Sequence, residues 1–281
     1  MNLSDINTIK SLLSKNGFTF KKSLGQNFLI DPAVCPAMTR AACGENTGVI
    51  EIGPGIGVLT AELSRAAQRV IAIELDERLK KILPESLADC ENVEIIYADV
   101  LKTDIGGLIA DRFSDCENVA ICANLPYYIT SPIIMELLEK RLPVDNITVM
   151  VQKEAAERLC AEVGTRKAGA VSVAVSYYST PEILFEVKRD SFMPPPNVDS
   201  AVIRLKIRKE PPISVGDEKK FFRFVKACFA QRRKTLVNTV SNTLGAEKDK
   251  IRAALCEAGL PDTVRAEQLT MEQLAFLSSR I

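Results

Sequence analysis

VIEIGPGIGVLT (residues 49–60) runs a short apolar strand into a glycine-rich turn and then into a helix. Val49 to Ile52 read as a buried strand, and residues 58–67 have helical spacing, with Leu59 and Leu63 on one side. The pattern then repeats. VIAIEL (70–75), VEIIYA (93–98), the apolar run Val119–Ala123 and ITVMVQ (147–152) are further strands. Residues 77–87 read as helical until Pro84 disturbs them, and PIIMELLEKRL (132–142) is a helix with proline in its first turn. Strands alternating with helices at this interval predict an α/β fold with a parallel, doubly wound sheet. From residue 171 the pattern changes to VSVAVSYY, EILFEV and AVIRLKIR, expected as strands that extend the sheet antiparallel. KEPPISVGD (209–217) reads as a linker, and residues 218–281 look wholly helical. The expected organisation is a large α/β domain over 1–210 and a small all-helical domain over 211–281.

Glycines at a strand-to-helix turn let the backbone approach a ligand and adopt positive φ. Alone, Gly53, Gly55 and Gly57 are a weak signal, because such turns often only make tight corners. Two further groups strengthen it. Glu74 ends the second strand, 21 residues after Gly53, where a carboxylate can accept both hydroxyls of a ribose. Asp99 lies just past the third strand, within reach of an adenine edge. The turn is G-x-G-x-G rather than the G-x-G-x-x-G of dinucleotide binders, and no P-loop Lys and Ser/Thr follow. A nucleoside cofactor without phosphates fits, and S-adenosylmethionine is the obvious one. Glu51 either holds the turn in shape or orients the methionine part of the cofactor.

Composition narrows the chemistry. The 281 residues include no histidine, which removes the commonest general base and the commonest metal ligand. Eight cysteines are scattered without a C-x-x-C pair and read as small buried hydrophobes in a reducing compartment. No metal site is expected. No apolar run reaches bilayer-spanning length, and residues 1–17 lack the order of a signal peptide, so a cytoplasmic location without a membrane partner is expected. The formal net charge of zero hides a segregation. Residues 51–184 hold 13 Lys and Arg against 21 Asp and Glu, whereas residues 185–240 hold 13 against 6. A basic block in a neutral chain suits a polyanion, although a solvated helix surface would look the same.

Asn124, Leu125, Pro126 and Tyr127 form a rigid polar-aromatic corner after the fourth strand. An exocyclic adenine amine is a poor nucleophile, because its lone pair is delocalised into the ring. Two acceptors, one per N–H, would pull the nitrogen toward tetrahedral geometry and aim the lone pair at a methyl on sulfonium. The Asn124 side-chain oxygen and the Leu125 carbonyl can be those acceptors, Pro126 fixes their direction, and Tyr127 offers a face on which a base stacks. The proton can leave after transfer, so no histidine is needed. Tyr128 is expected to be packing.

The Asn-Leu-Pro-Tyr corner, with Gly-Pro-Gly after the first strand, resembles the adenine-N6 methyltransferases. Five ordered blocks resemble the KsgA-type ribosomal RNA adenine dimethyltransferases in particular: KSLGQNFLID (22–31), VIEIGPGIGVLT (49–60), ANLPYYITSPII (123–134), SFMPPPNVDSAVIRL (191–205) and FAQRRKTL (229–236). The similarity runs from about residue 20 to the C-terminus. It implies a Rossmann-like class I methyltransferase sheet with an N-terminal segment that closes the cofactor site. Asn27 and Leu29 would belong to that segment. Gly53 would lie beneath the methionine part of S-adenosylmethionine, Glu74 on its ribose and Asp99 on its adenine amine, with Asn124 shared between cofactor and target base. Phe192, held by Pro194 to Pro196, would stack on the target adenine opposite Tyr127; its bland reading is a loop anchor over the core. The implied reaction is N6,N6-dimethylation of two adjacent adenosines in a loop near the 3′ end of 16S rRNA. The partner would be the small (30S) ribosomal subunit or its precursor, and the enzyme a monomer.

On FFRFVKACFAQRRKTL (221–236) helical spacing puts Phe221, Val225, Cys228 and Phe229 on an apolar side and Arg223, Lys226, Arg233 and Lys234 on another, the expected RNA face. Arg232 breaks that pattern. Either the helix ends near Ala230, or Arg232 reaches back to a carboxylate or to RNA. Three rivals are weighed: a large-subunit adenine methyltransferase of the macrolide-resistance type, a non-catalytic subunit assembly factor, and an NAD-dependent dehydrogenase. The glycine spacing and the missing histidine disfavour the last.

Overall fold

The computed structural model describes residues 1, 3–19 and 27–281. Residues 22–26 of the first resemblance block therefore lie outside the described residues. In chain order the first elements are α1 (Ile6–Lys15), β1 (Phe28–Leu29), α2 (Val34–Ala42), β2 (Thr47–Ile52), α3 (Val58–Ala66), β3 (Arg69–Glu74), α4 (Leu83–Ser86) and β4 (Val93–Tyr97). Then come α5 (Ile105–Arg112), β5 (Asn118–Asn124), α6 (Thr130–Glu139), β6 (Asn146–Gln152), α7 (Lys153–Leu159), α8 (Ala170–Tyr178), β7 (Ser179–Val187), β8 (Phe192–Met193) and β9 (Ser200–Ile207). The last four helices are α9 (Glu218–Cys228), α10 (Leu236–Leu244), α11 (Lys248–Glu257) and α12 (Met271–Arg280).

Seven strands form one sheet in the order β4-β3-β2-β5-β6-β9-β7. The first five run parallel, and β9 is antiparallel to β6. This is the doubly wound sheet with an antiparallel extension that the strand-helix alternation predicts. All six residues of β2 are buried, as a central strand covered on both faces demands. Its neighbours β3 and β5 lie on opposite sides, so the connections leaving β2 and β5 diverge and open a crevice at their carboxyl ends. Register aligns that crevice. Ile52 pairs with both Ile73 and Ala123, which brings Gly53, Glu74 and Asn124 abreast, and Glu74 pairs with Tyr97, two residues before Asp99.

Packing explains the rest of this unit. On one face α2 and α3 place Val34, Met38, Leu59 and Leu63 against Val49, Ala120, Cys122 and Met150. Buried Cys122 and Cys228 are the small hydrophobes their patterns predict. Amphipathic α1 is capped by Asp5, whose carboxylate accepts from the Thr8 amide at 2.7 Å. It sets Ile9, Leu12 and Leu13 against Phe28, Ile56, Leu79 and Ile82. Pro84 limits the segment after β3 to a 3₁₀ turn (Glu77–Lys81) and the one-turn α4.

The contacts divide the chain into residues 1–156 with 182–207, and residues 157–181 with 208–281. The expected boundary at 210 therefore needs a correction, because 157–181 belong with the helical unit. The cause is VSVAVSYY, which is helix α8 and not a strand. Its alternating valines mimic a strand, but Ser172, Val173, Ala174, Val175, Tyr177 and Tyr178 are all buried. A helix buried on nearly every side carries no 3.6-residue stripe. Tyr177 and Tyr178 pack on Phe221 and Phe222 of α9, and the Tyr178 hydroxyl bonds the Glu218 carboxylate. Helix α9 stops at Cys228 with Phe229 as its cap, close to the end near Ala230 that Arg232 suggested, and a turn follows to α10. Among the described residues no helix is long and apolar enough to cross a membrane.

The tightest sheet contact is testable. A Cβ added at Gly48 in β2 would stand 2.4 Å from Cδ1 of buried Phe113. Gly48→Ala should cost about 1–3 kcal/mol in urea unfolding with the m-value unchanged, and Phe113→Leu in the same chain should recover part of that loss.

Candidate active site

The crevice at the strand ends is a cavity, and its walls contain Asn27, Leu29, Gly53, Glu74, Asp99, Asn124, Leu125, Pro126, Tyr127 and Phe192. All ten residues singled out for cofactor and catalysis converge there. Gly53 leaves β2 at φ 70°, with its amide on the Ile73 carbonyl at 2.9 Å. Among the described residues, its chain neighbours apart, no atom lies within 4 Å of a Cβ added to Gly53, which leaves room there for a ligand. Glu74 holds the neighbouring turns. Its Oε2 accepts from the Gly55 amide at 3.2 Å and its Oε1 from the Asp76 amide at 2.7 Å. Burial pushes its carboxyl above the ordinary range, against the pull of those two amides. Asp99 caps a 3₁₀ turn (Val100–Lys102), accepting from the Leu101 amide at 3.1 Å.

Glu51 lies deeper and is 1% exposed. Its Oε2 has no hydrogen-bond partner among the described residues, although the side chain lines the cavity. Burial raises its pKa to about 8, with the Thr60 hydroxyl a lesser opposing influence. The carboxyl is therefore mostly protonated at neutral pH. An orphaned buried oxygen on the wall is what a donor on a bound ligand would satisfy.

The Asn124–Tyr127 corner is braced from several sides. The Leu125 amide donates to the Met150 carbonyl at 3.1 Å, and the Pro126 carbonyl accepts from the Ile129 amide and the Thr130 hydroxyl, both at 3.2 Å. The Tyr127 hydroxyl lies 2.8 Å from Ser200 Oγ, and burial raises its pKa. The Asn124 amide nitrogen donates to the Asn27 carbonyl at 3.5 Å, which leaves the side-chain oxygen as the acceptor toward the cavity. The N-terminal segment is hooked in turn to the Phe192 loop. β1 and β8 pair antiparallel, Leu29 opposite Phe192, and the Ile30 amide donates to Ser191 at 2.8 Å. The Ser191 hydroxyl donates to Asp31 at 3.0 Å. Phe192 is 2% exposed and packs among Leu29, Val34, Met38 and Val202. The bland reading, a loop anchor over the core, therefore describes its ring in this structure, and stacking on an adenine needs more of the ring open.

Two exposed apolar side chains on the wall escaped the sequence reading. Leu75 and Leu101 directly follow Glu74 and Asp99 (Leu101 after one intervening residue) and stand 54% and 38% exposed beside them. Their signal was an apolar residue after a carboxylate at a strand end. Tyr128, expected as packing, is 56% exposed at the cavity wall. The basic residues need a correction as well. Arg223 and Lys226 are exposed on α9, but Arg232, Arg233 and Lys234 lie in the turn beyond it, so they share no helix face. For Arg232 the first alternative holds, since the helix ends before it, and its Nη2 donates to the Arg166 carbonyl at 2.9 Å.

The family model for ribosomal RNA adenine dimethylases matches residues 17–281. A Bacillus licheniformis protein named ribosomal RNA small subunit methyltransferase A is 49% identical over 97% of this chain and 94% of its own. Among solved structures, 23S rRNA methyltransferase ErmE superposes with a TM-score of 0.69 at 29% identity, over 90% of this chain and 99% of its own. A dimethyladenosine transferase from Plasmodium falciparum gives 0.73 at 26% identity, over 89% and 95%.

The buried carboxyl of Glu51 sets a pH dependence. Its folded pKa of about 8 exceeds the ordinary value of 4.5, so the native state keeps a proton that the unfolded chain releases. That stabilisation is complete below pH 4.5 and is lost as pH rises toward 8. Glu51→Gln should be more stable than the parent at pH 8 than at pH 5, in urea titrations at the two pH values. An equal difference at both would show that Glu51 is ionised in the fold.

Proposed function

The chain belongs to the ribosomal RNA adenine dimethylase family, and from that premise we propose that it transfers methyl groups from S-adenosylmethionine to N6 of two adjacent adenosines near the 3′ end of 16S rRNA. The observation that carries this reading is the convergence of the glycine turn, Glu74, Asp99 and the Asn124–Tyr127 corner on one cavity. The cofactor supplies a methyl group on a sulfonium. The chain's residues would hold it: Gly53 gives room beneath its methionine part, Asn27 and Leu29 cover it, Glu74 accepts from the ribose hydroxyls, and Asp99 accepts from the adenine amine. Leu75 and Leu101 offer apolar faces to that adenine.

The target amine is held by Asn124 Oδ1 and the Leu125 carbonyl. Because Met150, Ile129 and Thr130 already brace the corner, those acceptors are fixed before the base arrives, and little reorganisation remains at the transition state. Tyr127, pinned through its hydroxyl, holds one face of the ring, and Phe192 bounds the cavity on the side of β8. The departing proton goes to water. Residues 211–281, through Arg223, Lys226, Arg232, Arg233 and Lys234, would grip RNA phosphates. The enzyme would act as a monomer. The work site would be the cytoplasm, on the 30S subunit or its precursor. The higher identity to the relative named for the small subunit, 49% against 29% for the 23S enzyme, supports the small-subunit target.

Purified protein, labelled S-adenosylmethionine and small subunits lacking the modification should yield labelled dimethyladenosine, read by nucleoside mass. No label in adenosine would sink the reading, and label only in 23S RNA would favour the macrolide-resistance type. Asn124→Ala should lose roughly 10²–10³-fold in kcat while still binding subunits. Loss of subunit binding as well would favour an assembly grip as the main function. Arg233→Ala and Lys234→Ala should each weaken RNA binding and lower the slope of log K against log salt by about 1.

A further inference from the structure

Side chains of the corner are graded by depth. Leu125 is 1% exposed, Tyr127 is partly buried with its hydroxyl on Ser200, and Tyr128 stands 56% exposed at the same cavity. The chemistry proposed above uses Asn124 to Tyr127 and gives Tyr128 no task. An exposed aromatic ring is ordinary on a mobile loop. Here the Pro126 carbonyl holds both the Ile129 amide and the Thr130 hydroxyl, so the ring stands on a rigid turn that opens α6. A side chain with few rotatable bonds on a fixed backbone loses little entropy when it is covered.

A base whose amine reaches Asn124 has left its stack, and the nucleotide beside it has lost a neighbour. With the target base inside, that nucleotide would lie beside the cavity that Tyr128 lines. We propose that Tyr128 stacks on the nucleotide adjacent to the target adenosine, replacing the lost base–base contact and setting the register of the RNA strand. The proposal rests on the methyltransferase reading. The ring is too exposed to serve as a wall for the target base itself, whose one face Tyr127 covers. Stacking is tolerant of base identity, so Tyr128 would favour a purine next to the target without reading its edges. With two adjacent targets, the same ring would receive one adenosine while the other is in the cavity.

The test combines variants with altered substrate. Small subunits are reconstituted with 16S RNA that is intact or abasic at the nucleotide on either side of the target. On intact RNA, Tyr128→Ala should lower kcat/KM about 5- to 150-fold, mainly through KM, and Tyr128→Phe should stay near the parent. Affinity for S-adenosylmethionine, by calorimetry, should be unchanged in both. The abasic neighbour should lower the parent by a similar factor and leave Tyr128→Ala unaffected, since the contact is already gone. Additive losses, or Tyr128→Ala at parental rates, would overturn the proposal. If the parent itself transfers no methyl to any RNA, the methyltransferase reading falls and takes the proposal with it.

Discussion

The Glu74 carboxylate is the contact on which the ligand end of the sheet depends. One oxygen holds the Gly55 amide and the other the Asp76 amide, so a single side chain ties the turn after β2 to the turn after β3. Burial opposes its charge, and the two amides offset part of that cost. Each carboxylate oxygen has a second lone-pair site, so holding the turns leaves acceptor capacity for ribose hydroxyls. Such donors would lower the cost of the buried charge further. Structural bracing and the proposed ribose recognition would thus use the same two atoms, and removing the carboxylate would loosen the glycine turn as well as the site.

A second constraint joins parts of the chain far apart in sequence. The β1–β8 pair and the Asp31–Ser191 bond clip residues 27–31 to the Phe192 loop, and the Asn27 carbonyl accepts from Asn124. Residues 27–31, the Phe192 loop and Asn124 therefore share one hydrogen-bonded frame. A shift of the N-terminal segment would be felt at Asn124, which would couple the two proposed ligand positions. The burial of Phe192 gives this frame its anchor in the core.

The strand ends were legible because their grammar is local. A glycine turn after an apolar run, a carboxylate ending the next strand and a proline-fixed corner each need only neighbours in sequence, and the parallel register then lines them up. What was illegible depended on tertiary surroundings. α8 alternates like a strand because it is buried on nearly all sides. The end of α9 was legible in the phase break at Arg232, but the bond from Arg232 to the Arg166 carbonyl joins residues 66 apart in sequence. Tyr128 is exposed where packing was expected, and Phe192 is buried while still lining the cavity, because composition and motif say that a ring is present, not which way it faces.

The charge segregation along the chain fits two ligands of opposite sign. S-adenosylmethionine carries a cationic sulfonium and ammonium, and the cavity offers the carboxylates of Glu74 and Asp99. Glu51 adds little negative charge at neutral pH, because burial keeps it mostly protonated. The same acidity repels an RNA backbone, and residues 51–184 carry an excess of eight acidic side chains over basic ones. RNA affinity must therefore come from elsewhere. Residues 185–240 hold the complementary excess of seven basic side chains, including the exposed cations of α9 and the turn after it. On the proposed reading, binding strength and its salt dependence would belong to the basic segment, and selectivity at the base to a rigid corner that contributes almost no charge. On that same reading, a target adenosine would enter the cavity as a neutral base with its phosphates held outside.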